Sequence, residues 1–74
     1  MGKNRTLEEI YAAAGRNRGL IDNLREVFKE KELVRWFYRP NKAFEYQKPI
    51  DLLGTKEVRR LKSMYREIVY GTYL

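Results

Sequence analysis

Apolar residues recur along this chain at helical rather than strand spacing, and the punctuation between them predicts where each helix starts and stops. Leu7, Ile10, Tyr11 and Ala14 share one helical face. Thr6 with Glu9 three residues later has the form of a capping box at its start, and Gly15 is a natural stop because glycine tolerates left-handed backbone. Leu20, Ile21, Leu24, Val27 and Phe28 predict a second helix over about 19–29. Glu30 to Tyr38 crowds Leu33, Val34, Trp36 and Phe37 into little more than two turns, which predicts a third helix buried on more than one side. Pro40 ends it, since the residue before proline is pushed out of helical dihedrals, and Asn41 favours a turn. An irregular stretch follows with Ala43, Phe44 and Tyr46. Pro49 suits the first position of a short helix closed at Gly54. Thr55 is placed to cap a last helix, in which Val58, Leu61, Tyr65 and Ile68 form a core-facing line flanked by Met64 and Val69, ending at Gly71. No strand alternation, internal repeat or low-complexity stretch stands out. The expected fold is all-α: a compact bundle of about five short helices in a single domain over 1–74, with an N-terminal helix pair at 1–29 and an extended C-terminal tail.

Length and composition then set bounds. A domain of 74 residues buries only about 60% of the surface its unfolded chain exposes, so a partner that adds burial, including a second copy in a homodimer, is expected. Hydrophobic residues at 43% against 35% charged suit a soluble chain, and no apolar run approaches the length of a membrane span. The start lacks the apolar run of a secretory signal, which makes the cytoplasm the expected location. The net charge of +6 fits an acidic partner, either nucleic acid or protein. The excess is spread evenly, with nine cations against six acids up to Pro40 and seven against four afterwards, so no dedicated basic arm is visible.

Candidate chemistry is sparse. The chain has neither histidine nor cysteine, which removes the commonest general base, the thiol nucleophile and most zinc sites. Gly15 and Gly19 have no preceding strand and no Gly-Lys-Ser/Thr, so they form no phosphate loop. Glu8 with Glu9, and Glu30 with Glu32, sit where helix termini attract acids. An enzyme is not expected, and no cofactor or metal site is indicated.

The order Trp36, Pro40-Asn41, Phe44, Pro49 with Leu52-Leu53, and Tyr70-Gly71-Thr72-Tyr73 resembles the toxin-binding domain of the Xre/MbcA/ParS antitoxins. Three features depart from that pattern. Tyr46 stands where the family usually has glycine, which is expected to change the loop backbone; Thr55-Lys56-Glu57-Val58 lacks a glycine often found there; and the family's separate upstream helix-turn-helix domain has no counterpart in the roughly 30 preceding residues, so a free-standing toxin-binding domain is expected. The resemblance implies a partner of the RES type, a protein toxin that consumes NAD and is silenced when the antitoxin's C-terminal segment occupies the entrance to its active site. The residues themselves suit such a role. Gly71 releases the chain from the helix, so Thr72, Tyr73 and Leu74 would leave as an apolar arm ending in a carboxylate, while Arg66, one turn before Tyr70, would meet acidic groups at the rim. Tyr70 and Tyr73 folding back onto the bundle is the competing reading. A different function, DNA binding, follows if Leu7–Ala14, Gly15 and Leu20–Phe28 act as a helix-turn-helix with Arg16 and Arg18 on phosphates. Tyr11 opposes this by occupying a position that needs a small residue.

Overall fold

A computed structural model describes residues 6–71. Five α-helical segments are present: α1 (Leu7–Ala14), α2 (Arg18–Arg25), α3 (Glu30–Phe37), α4 (Pro49–Leu52) and α5 (Val58–Tyr70). Short 3-10 turns at Gly15–Asn17 and Lys42–Phe44 complete the helical content. There is no sheet among the described residues, only an isolated antiparallel bridge between Asn41 and Gln47. The segment 72–74, on which the expected tail falls, lies outside the described residues.

The helix ends follow the capping chemistry. Thr6 accepts a hydrogen bond from the Glu9 amide at 3.3 Å, while the Glu9 carboxylate does not return it. Gly15 takes a positive φ of 55° at the end of α1, and its amide donates to the Tyr11 carbonyl. Helix α2 stops earlier than the hydrophobic pattern predicts. The Val27 and Phe28 amides both bond to the Leu24 carbonyl, closing a turn, so Val27 is left exposed and Phe28 half-buried. Pro49 opens α4 as expected, and α4 ends at Leu52, two residues before Gly54. Thr55 accepts from the Glu57 amide at 3.0 Å and donates to the Leu52 carbonyl at 2.9 Å, shaping the entry to α5.

One core unites these pieces. Ile10 and Ala14 of α1 meet Leu20, Ile21 and Leu24 of α2, Leu33 and Phe37 of α3, Phe44, Leu52 and Leu53, and Val58 and Leu61 of α5. Trp36 stacks edge-on against both Phe37 (5.1 Å between centroids) and Phe44 (6.2 Å), remaining half-buried at the margin of this core. Helix α1 packs on α2, α3 and α4, whereas the close backbone neighbour of α5 is α4. The expected core line of α5 therefore stops short. Val58 and Leu61 are buried and Met64 and Tyr65 partly so, but Ile68 and Val69 are exposed, because α2 and α3 flank this end of α5 without closing over it.

The two halves of α5 are expected to respond differently to truncation. Leu61→Ala should lower the unfolding free energy in urea by about 2–5 kcal/mol, as for other fully buried leucines. Val69→Ala should stay within about 0.5 kcal/mol of the parent.

Candidate functional site

The site is built where α5 outruns the body. A thirteen-residue helix is held by its first half and presents its second half to solvent. Two contacts secure the held half. Leu61 is sealed in the core, and the guanidinium of Arg60 reaches across to the irregular 41–47 segment. It donates to both carboxylate oxygens of Glu45 at 2.8 and 3.1 Å and to the Ala43 carbonyl at 2.9 Å, and lies over the Phe44 ring.

That segment is also wired internally. The Asn41 side chain accepts from the Ala43 amide, its carbonyl accepts from Phe44 and Tyr46, and its amide donates to the Gln47 carbonyl. Glu45 and Tyr46 both take left-handed backbone, with φ of 54° and 65°. Tyr46 thus adopts the conformation for which glycine is the usual choice, and the loop keeps a glycine-like backbone with a tyrosine ring carried into solvent. The ring is 67% exposed and takes no part in the core.

Beyond Met64, α5 forms one wall of an apolar cleft of about 270 Å³, lined by Leu24, Phe28, Leu33, Trp36, Met64 and Ile68 with Glu32 at its edge. Its walls come from α2, α3 and α5, and no local pattern in the sequence announces it. On another side of α5, Arg66 and Tyr70 share a shallow depression with Leu20, Asn23, Lys62 and Tyr65, so the two residues expected to act together do lie together. Tyr70 is 72% exposed, which rules out the reading in which it folds back to complete the core. Gly71 ends the helix in left-handed conformation (φ 66°), its amide bonded to the Glu67 carbonyl. Thr72, Tyr73 and Leu74 are outside the described residues. Of the two cations in the DNA-binding reading, Arg16 is exposed beside α1, while Arg18 stacks on the Tyr11 ring at 4.9 Å. The Tyr11 hydroxyl in turn donates to Asp22 and accepts from Arg25, so the aromatic group joins α1 to α2 through polar contacts.

These surfaces are suited to binding. Among the described residues there is no buried polar or charged side chain, and no cluster of three or more metal-ligating residues. No described helix is long and apolar enough to cross a membrane. The class this defines is a small helical binding module. Residues 23–62 match the antitoxin Xre/MbcA/ParS C-terminal toxin-binding domain, and the chain belongs to that family. The family is that of a toxin-binding domain. No curated protein and no solved structure matches the chain. The matched span takes in Trp36, Pro40, Asn41, Phe44, Pro49, Leu52 and Leu53 but ends before Arg66, Tyr70 and Gly71.

The Arg60 contact makes stability depend on pH. Its hydrogen bonds hold the Glu45 carboxyl below the ordinary glutamate range in the folded chain. A depressed folded value means that the contribution is complete above the unfolded value and is lost as pH falls through the folded one. Between pH 7 and pH 3 the urea midpoint of the parent should fall more than that of Glu45→Gln, the two curves converging at the acid end.

Proposed function

We propose that this domain neutralises a RES-type, NAD-consuming toxin in the cytoplasm by stoichiometric binding, with the free end of α5 and the residues after Gly71 placed at the entrance to the toxin's active site. Membership of a toxin-binding family supports the class of partner. The observation that carries the mode of binding is the exit of α5 from its own core: Ile68, Val69 and Tyr70 are all exposed in the last turn before a left-handed glycine. Apolar and aromatic side chains in that position gain burial only from another molecule. Arg66, exposed one turn earlier, supplies a cation for acidic groups at the rim, and Tyr73 and Leu74 extend the apolar series in the sequence. The apolar cleft adjoins this end through Ile68, so docking there enlarges the same interface. A homodimer would draw on the same exposed apolar surface, which makes the second copy a competitor for the toxin-binding face.

Co-production with a RES-domain toxin tests this directly. Deleting residues 72–74 should abolish rescue of growth, and Tyr70→Ala should weaken the purified complex by about 30-fold or more, the size expected for loss of a buried aromatic anchor. Circular dichroism of both variants should match the parent. Undiminished rescue by the deletion variant would refute insertion of the C-terminal arm.

A further inference from the structure

Helix α3 carries a second surface, turned away from the apolar cleft. Leu33 and Trp36 face the cleft, with Glu32 at its edge. Lys31, Val34, Arg35 and Tyr38 fall on the other side of the helix, where two open troughs meet. One, of about 400 Å³, is lined by Val34, Arg35, Tyr38, Arg39, Pro40 and Lys48. The next shares Val34 and Arg35 and adds Lys31, Glu30, Thr6 and Leu7. Lys31, Arg35, Arg39 and Lys48 therefore follow one another along a continuous shallow path floored by half-buried Val34 and Tyr38. None of the four has a carboxylate of the described residues within ion-pair distance. Asp51, one turn after Lys48 in the chain, makes no pair with it.

Local helix electrostatics explains only half of this row. Arg35 and Arg39 flank the C-terminal end of α3, where cations are favoured. Lys31 lies in the first turn of α3, where a positive charge is disfavoured, and Lys48 directly precedes the single turn of α4, which is too short to favour a cation there. Cations that helix electrostatics leaves half explained, with no carboxylate partner among the described residues and in series, form a track for a polyanion.

We propose that this face binds the phosphodiester backbone of nucleic acid, using Lys31, Arg35, Arg39 and Lys48. Lys31 and Arg35, four apart on α3, stand roughly 5–6 Å apart, close to the repeat of a polynucleotide strand, and the arginine forks suit phosphate oxygens. An acidic protein partner fits less well, because such interfaces centre on apolar pockets and this path is shallow with its apolar floor already half covered. The site is separate from Arg16 and Arg18 and from the toxin-binding end of α5, so a chain bound to toxin keeps it open.

The test uses the full chain and a fluorescein-labelled 20-base-pair DNA duplex of arbitrary sequence, with anisotropy followed from 50 to 200 mM salt. Four phosphate contacts predict a slope of log K against log salt of about −3.6 on duplex, or about −2.8 on a single strand of equal length. The single-strand arm shows which form is preferred. Arg35→Gln/Arg39→Gln should reduce the duplex slope by about 1.8, and Arg35→Lys/Arg39→Lys should keep it, since charge carries the contact. Arg16→Gln/Arg18→Gln should leave it unchanged. All four positions in these pairs are exposed, and circular dichroism checks that each variant folds. The proposal is overturned if the Arg35/Arg39 pair leaves the slope intact, if the Arg16/Arg18 pair lowers it instead, or if a poly-glutamate peptide binds as tightly as DNA and loses the same affinity in the Arg35/Arg39 variant.

Discussion

The structure depends on how its last helix is attached. Val58 and Leu61 bury the first turns of α5 in the shared core, and the Arg60 fork fixes the helix to the loop that carries Glu45, Ala43 and Phe44. This one guanidinium meets a carboxylate, a carbonyl and an aromatic face, so it sets the direction in which α5 leaves the body. It also holds Phe44 where Trp36 packs edge-on against it, and Trp36 in turn walls the apolar cleft. The pair is solvent-exposed, so its importance lies in geometry more than in stability: isolated surface ion pairs contribute little to folding, while a planar bidentate contact defines orientation.

The division between scaffold and working surface follows from that attachment. The residues that carry the family pattern are mostly interior or structural. Phe44, Leu52, Leu53 and Pro49 are buried, Asn41 satisfies the amides of its own loop, and Trp36 braces the core margin. The groups free to engage another molecule lie on the part of α5 that the body cannot cover, and this part falls beyond the matched span. Substitution at Arg66, Ile68, Val69 or Tyr70 is expected to cost the core little, because none of them is needed to complete it.

Much of the fold was legible in the sequence because helical periodicity and capping residues are local signals. The starts of α1 and α4 and the stop at Gly71 all follow from one to four neighbouring residues, whereas the cap expected at Thr55 is displaced: α5 begins at Val58 with Glu57 at its N-cap, and Thr55 holds the Glu57 amide in the turn before it. Periodicity failed where the outcome rests on what stands opposite. Val27 and Ile68 continue apolar faces in phase, yet the chain closes a turn on the Leu24 carbonyl and the walls beside the end of α5 stand apart as an open cleft, so both are exposed. The Glu45–Arg60 contact spans fifteen residues and left no pattern to find. The candidate site was legible in the same measure. Arg66 and Tyr70 share a face because they are four apart on one helix, whereas the apolar cleft takes walls from three helices and needed the fold to appear.

Helix α3 shows why such a small domain can carry two surfaces. Its buried residues, Leu33 and Phe37, occupy one narrow stripe, and the two flanks remain available. One flank, with Trp36, is apolar and continuous with the exposed end of α5. The other holds Arg35 and the cation row. Because its core stripe separates them, a ligand on one flank need not distort the other. The expected coupling between the two faces is therefore electrostatic alone, felt through the net charge of +6 and weakened by salt beyond the Debye length of about 10 Å at 0.1 M.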